Sequence, residues 1–188
     1  YNKAARIASS ITLQEANIEH KIVSGDISNP EEFANNLNEK YNLNLNRMLN
    51  VRSFLDHNRI YTTPKKNFKN ITYNSTGAFA YRGILITSKE IQQNLIEHFT
   101  SWKKYVNKYG LLILELHTIS PKIAAQNISN TIATAYDGTH GFSDQYIIEL
   151  DSMINAAKIA GLVPESKHQA CFPSLDMATI SINLFKSA

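Results

Sequence analysis

A single cysteine, Cys171, in 188 residues excludes any internal disulfide, and a reducing, cytoplasmic setting is the simplest expectation. No apolar run approaches the roughly 18 residues of a membrane-span candidate, and no signal peptide is visible, so no membrane partner is expected. Charge of either sign is sparse: 19 Lys and Arg against 16 Asp and Glu leave a net +3. The basic residues are scattered apart from Lys65-Lys66-Asn67-Phe68-Lys69 and Lys103-Lys104, too thin a pattern for a nucleic-acid partner. An initiator methionine is missing as well. The chain opens at Tyr1 directly in helical sequence, with Ala4, Ala5, Ile7, Ala8 and Ile11 on one face, and the expectation is that the N-terminal part of a domain precedes it.

What is present is an alternation of helical and strand patterns. Residues 2–17 predict an amphipathic helix and 20–24 a short strand closed by Gly25-Asp26. Ser28-Asn29-Pro30-Glu31-Glu32 starts a helix to about Lys40, with a cap, a first-turn proline and early acids. Arg47 to Phe54 predicts a strand, and residues 59–87 a lid-like insertion ending in a short strand at 84–86. A helix capped by Ser88 follows, with Ile91, Leu95, Ile96 and Phe99 as its apolar stripe. Leu111–Leu116 is the clearest buried strand. Residues 121–135 and 146–161 predict helices, the second capped by Ser143, and 169–172 and 179–185 predict two closing strands. The alternation argues for an α/β fold with a mostly parallel sheet.

In such sheets ligands bind outside the carboxyl ends of the strands. Gly25-Asp26, Asp56-His57-Asn58-Arg59 and Glu115-Leu116-His117 fall there, and together they predict a pocket. A fourth polar run, Ala135 to Tyr146, concentrates Asp137, His140, Ser143, Asp144 and Gln145 in a loop.

Arg52-Ser53-Phe54-Leu55-Asp56-His57-Asn58-Arg59, Gly77-Ala78-Phe79-Ala80-Tyr81-Arg82-Gly83, Glu115-Leu116-His117-Thr118 and the 136–146 loop resemble the C-methyltransferase domains of polyketide synthase loading modules. Some members of that group are iron enzymes. The wider resemblance is to class I S-adenosylmethionine-dependent methyltransferases. It implies a Rossmann-like three-layer sandwich, mostly parallel with an antiparallel last strand. Asp26 and Ile27 match the acid that takes the adenine amino group, and Arg52, Ser53 and Phe54 match the segment lining the methionine end. The Gly-rich loop of those enzymes has no counterpart, since no G-x-G-x-G occurs, and neither does the acid that takes the ribose hydroxyls. The resemblance therefore implies residues 1–188 to be the C-terminal part of a single methyltransferase-like domain, truncated at its N-terminus.

The implied reaction is methyl transfer to the α-carbon of a malonyl-type acyl unit on an acyl carrier protein or other thioester, beside neighbouring synthase domains. Such a reaction needs a base, for which His117 and His57 are the candidates as base or support. It also gains from a Lewis acid, and His140, Gln145 and Asp137 offer nitrogen and oxygen ligands suited to iron or manganese. The same residues have plainer readings. Asp137-Gly138 and His140-Gly141 suit turns, His57 a satisfied half-buried histidine, His117 a strand-end histidine bonded to backbone, and Asp26 a helix cap. Tyr61, Tyr73, Phe79 and Tyr81 read as packing or as a lid. His20, His98 and His168 read as surface or structural, and Cys171 as a small core residue. A metal-dependent decarboxylase of carrier-bound acyl units and a non-catalytic scaffold are the competing functions.

Overall fold

The structure is a computed structural model that describes residues 2–68, 72–131, 133 and 143–188. Helix α1, Lys3–Glu15, is capped by the Asn2 side chain on the Ala5 N–H. Helix α2, Pro30–Tyr41, has Asn29 as its cap, Pro30 in its first turn and Asn42 in the left-handed conformation at its end. Strand β1 is Asn50–Ser53, followed by a 3-10 turn at Asp56–Asn58. Strands β2, Phe79–Tyr81, and β3, Ile84–Ile86, pair as a hairpin. Its two turn residues, Arg82 and Gly83, both have positive φ, as a tight two-residue hairpin requires. Helix α3, Ser88–Val106, starts in a capping box in which Thr87 and Glu90 bond each other's backbone N–H. Strand β4, Leu111–Leu116, helix α4, Pro121–Gln126, helix α5, Leu150–Ile159, and strands β5, Leu162–Phe172, and β6, Ile180–Ser187, complete the order.

Four strands form the main sheet in the order β1-β4-β6-β5. β1 pairs parallel with β4, and β6 pairs antiparallel with both β4 and β5. Three strands therefore point one way, and the last strand is wedged between two of them in the opposite sense. The α/β expectation holds, but adjacent pairings are mixed: one parallel and two antiparallel.

Burial alternates along β4 and β6, so one face of each lies in the core. Leu111, Ile113 and Glu115 share that face with Ser181, Asn183 and Phe185, and the register sets Leu111 beside Phe185 and Glu115 beside Ser181. The face is apolar at one end and polar at the other. Helix α3 covers its apolar part with Leu95, Ile96, Phe99 and Trp102, and Phe99 meets Phe185 at 6.3 Å between ring centroids.

Several local expectations are corrected. Residues 20–24 are extended but join no strand. The Arg47–Phe54 strand is shorter, because Leu45–Arg47 takes a 3-10 turn. Thr87, not Ser88, caps α3. The last helix starts at Leu150 with Glu149 at its cap position, not near Ser143. Tyr146-Ile147-Ile148 is a buried extended segment instead, since three consecutive apolar residues bury on all sides and not along one helical stripe. Helix α4 ends at Gln126, and the part of the expected helix at 132, 134 and 135 lies outside the described residues. Strand β5 reaches back to Leu162 past a register shift between Pro164 and Gln169.

Phe185→Ala should cost about 3–5 kcal/mol in urea unfolding, the range for deleting a fully buried aromatic ring. A loss below about 1 kcal/mol would show that the α3–sheet contact is not the centre of the core.

Candidate active site

The polar end of the sheet face is built around Glu115. Apolar residues surround it along β4, yet its carboxylate is 3% exposed and accepts four N–H bonds. Oε2 accepts from the backbone of Asp56 at 2.8 Å and of His57 at 3.1 Å. Oε1 accepts from the Leu116 backbone at 2.9 Å and from His57 Nδ1 at 2.6 Å. Nδ1 must therefore carry the proton, which leaves His57 Nε2 as the acceptor nitrogen. The Asn58 amide, on an exposed residue, meets that Nε2 at 2.9 Å. A histidine oriented by a buried carboxylate is the standard arrangement of a general base.

His117 is committed differently. Ser181 Oγ accepts from Asn183 Nδ2 at 2.7 Å, so its single proton goes to His117 Nε2, also at 2.7 Å. The other nitrogen then donates to the Ile148 carbonyl at 3.1 Å. Burial pushes the ring down to about 4, only partly opposed by the Ile148 bond and Glu115, so it is neutral at pH 7. His117 ties β4, β6 and the 146–149 segment together.

Below the turn lies an ionic group. Arg52 is paired with Asp56 and its guanidinium lies 4.1 Å over the Trp102 ring. Burial lowers the Arg52 pKa, while Asp56 and Glu115 oppose the fall. Burial alone would raise the Asp56 carboxyl, but Arg52, His98 and Arg59 hold it well below its usual range. His98 Nε2 is 3.0 Å from Asp56 Oδ1, a contact that favours a charged ring. Burial, with Arg52 and Arg59 beside it, outweighs that contact and brings His98 down to about 4. Arg59 is held by Asn94 at 2.6 Å and by the carbonyls of Asp56 at 2.8 Å and Ile91 at 3.2 Å. Burial brings it down to about 10, so it remains a cation at pH 7.

Asp56, His57, Arg59, Glu115, His117 and Tyr146, with Leu95, Leu116, Ile148 and Met153, surround a void of about 10 Å3. That is roughly the size needed for one water. The Tyr146 hydroxyl is buried and has no hydrogen-bond partner among the described residues, an arrangement that typically costs about 1–3 kcal/mol. Two of the sequence clusters, 56–59 and 115–117, thus converge.

The third does not join them in this void. Asp26 lines a separate cavity of about 480 Å3 with Gly25, Asn29, Glu32, Phe33 and Tyr41. Its Oδ1 accepts from the Ser28 N–H at 2.8 Å, and Asn29 is the cap of α2, so Asp26 shapes the turn ahead of that helix. A Cβ at Gly25 would stand 2.6 Å from the Phe33 ring, so any larger residue there would displace that ring. Ile27 is partly buried against the core, and its carbonyl accepts from Trp102 Nε1 at 2.7 Å. Ser53 is exposed at the end of β1, and Phe54 is half-buried with a positive φ, its N–H donated to the Leu114 carbonyl at 2.8 Å. Neither these two, Ile27 nor Arg52 lines the Asp26 cavity.

Of the metal expectation, Asp137 and His140 lie outside the described residues, and Gln145 is half-buried one residue before Tyr146. Among the described residues no group of three or more His, Cys, Asp or Glu could hold a metal ion. His98, read as surface or structural, is structural, and Cys171 is half-buried on β5. Sequence reasoning placed Glu115 in a strand-end polar cluster without a chemical role and gave no site role to Tyr146. The signal for Glu115 was present: one carboxylate within an otherwise apolar strand.

A family model described as the AprA MT2-like domain matches residues 1–183. The chain belongs to that family. It is a methyltransferase-domain family, so S-adenosylmethionine is the cofactor it implies. No curated protein matches the chain.

The neutral buried rings set a pH dependence. His98 and His117 bind a proton near pH 4 in the fold and near 6.5 when unfolded, so the unfolded chain takes protons first as the pH falls. Stability should be full above about pH 6.5 and fall between 6.5 and 4, by roughly 3 kcal/mol for each ring. Urea titrations at pH 7 and pH 5 read this directly, and a midpoint unchanged between them would contradict neutral rings.

Proposed function

We propose that this chain carries the proton-abstracting centre of an S-adenosylmethionine-dependent C-methyltransferase that acts on a malonyl-type acyl thioester in polyketide-type assembly. The observation that carries the proposal is the His57–Glu115 pair at 2.6 Å, buried at the carboxyl end of parallel strands. Family membership supports methyl transfer, and an acid-base pair is what carbon, as the methyl acceptor, requires.

The Asp26 cavity fits the adenosyl part of the cofactor by its chemistry. It offers a carboxylate as acceptor for an amino group and aromatic rings at Phe33 and Tyr41, within the 300–1,000 Å3 usual for such sites. S-adenosylmethionine supplies an electrophilic methyl group when bound. His57 Nε2 takes the α-proton of the acyl unit once the Asn58 amide moves aside. Glu115 accepts the hydrogen bond of Nδ1–H and stabilises the imidazolium so formed. Its four N–H bonds hold the carboxylate in place, so no reorganisation is needed as charge develops. Leu95, Leu116, Ile148 and Met153 supply the apolar part of the void beside His57 and Glu115. His117 holds the Ile148 segment that closes this pocket. An iron or manganese ion, if held by Asp137, His140 and Gln145, would supply a Lewis acid. The acyl carrier protein and neighbouring synthase domains are the partners this reading requires.

His57→Gln should lower methyl transfer to a malonyl-pantetheine thioester by at least about 100-fold, the usual worth of a general base, while calorimetric binding of S-adenosylmethionine persists. Asp26→Ala should do the reverse, weakening cofactor binding about 10-fold with the base intact. Retained turnover in H57Q, with wild-type melting behaviour, would remove His57 from the base role. Acyl loss as carbon dioxide without added cofactor would replace methyl transfer by decarboxylation.

A further inference from the structure

We propose that the Tyr146 hydroxyl is a catalytic hydrogen-bond donor to the carbonyl oxygen of the acyl thioester, holding the enolate as His57 removes the α-proton. The inference rests on the methyltransferase reading above and deepens it by assigning the oxygen site.

Four observations carry it. First, Tyr146 lines the same void as His57 and Glu115 and is 2% exposed. Second, its place relative to the base is fixed by the backbone: the Tyr146 N–H donates to the His57 carbonyl at 2.8 Å. The ring is held from other sides as well, with the Tyr61 ring at 5.9 Å and the Arg59 guanidinium at 5.5 Å. Third, the polar groups around the void are otherwise committed. Glu115 accepts four bonds, both nitrogens of His117 are used, and Arg59 donates to Asn94 and two carbonyls. Among the described residues two buried atoms of the lining stay unpartnered, the Tyr146 hydroxyl and Asp56 Oδ2, and of these the hydroxyl is the donor. Fourth, the void has room for one oxygen-sized atom.

A buried hydroxyl with no partner is a stability loss that phenylalanine would avoid at the same shape. Its presence beside a base therefore points to a group that binds only when substrate is present. Burial pushes Tyr146 up to about 12, with Asp144 adding to the rise and Arg59 opposing it, so at neutral pH the hydroxyl keeps its proton and donates. The step balances without any further reactant. The C–H bond breaks, its proton goes to His57 Nε2, and its electron pair moves into the C–C bond as the carbonyl becomes an enolate. The new negative charge rests on the oxygen facing Tyr146. The hydrogen bond is stronger to that anion than to the neutral carbonyl, which is the differential binding that lowers a barrier.

The test is Tyr146→Phe in the full chain, assayed with S-adenosylmethionine and malonyl-pantetheine. Loss of one such donor typically costs 100- to 1,000-fold in kcat, and KM should change by less than about threefold. The melting midpoint should hold or rise, because the orphaned hydroxyl is gone. A second readout is calorimetric binding of an amide-linked nitroacetyl-pantetheine, whose nitronate mimics the enolate. Y146F should weaken that probe at least about 10-fold and leave malonyl-pantetheine binding unchanged. If wild type methylates the thioester, H57Q does not, and Y146F matches wild type in both readouts, the hydroxyl holds only a structural water and this inference falls alone. If Y146F loses stability and binds both probes equally weakly, the role is structural. If wild type transfers no methyl group, the methyltransferase reading fails and takes this inference with it.

Discussion

The carboxylate of Glu115 is the constraint on which the site depends. A glutamate on the core face of a central strand is costly unless its charge is hydrogen-bonded or paired. Here that requirement is met by four N–H groups, three of them backbone, drawn from β4 itself and from the turn after β1. The turn must close over the carboxylate, so Asp56 and His57 have little freedom. The orientation of His57 follows from this fold-level demand. The same bonds that satisfy the buried charge align the base.

A second tier supports the first. Arg52 and Asp56, four residues apart, form a buried pair that α3 seals with His98 and Trp102. Arg59 reaches from the far side of the same turn to Asn94 and Ile91 on α3. Helix α3 thus does two jobs along one surface. Phe99 packs on the apolar end of the sheet, while Asn94 and His98 lock the turn carrying His57. Core packing and site geometry are coupled, since a shift of α3 would move both.

Much of this was legible in the sequence where one periodicity ruled. The α3 stripe, the apolar run of β4 and the alternation of β6 were readable because burial alone dictates those patterns. His98 falls three residues after Leu95 and four before Trp102, so its burial was written in the stripe, although a histidine there reads more easily as surface. Tyr146-Ile147-Ile148 was misread because an apolar cluster next to a helical pattern looks like its first turn. Tertiary bonds, from Tyr146 to His57 and from Ile148 to His117, hold it outside any helix. Strand β5 was under-read because Glu165, Ser166, Lys167 and His168 carry no hydrophobic signal. The convergence of 56–59 with 115–117 was visible as two polar clusters at strand ends. The separation of the Asp26 cavity from them was not, because residues 20–24 read as a strand and add none to the sheet.

The charges around the void bear on the proposed proton transfer from carbon. Arg52 and Arg59 face Asp56 and Glu115, two cations against two carboxylates, and His98 and His117 are held neutral by burial. The resting group carries no net charge in a setting where an unbalanced one would be expensive. When His57 takes a proton and an enolate forms beside it, the two new charges are of opposite sign and adjacent. In the proposed step the imidazolium would rest on Glu115 and the enolate would lie toward the Tyr146 hydroxyl, with Arg59 near that ring. The proposed step adds one positive and one negative charge, so it leaves the net charge of the closed cluster unchanged.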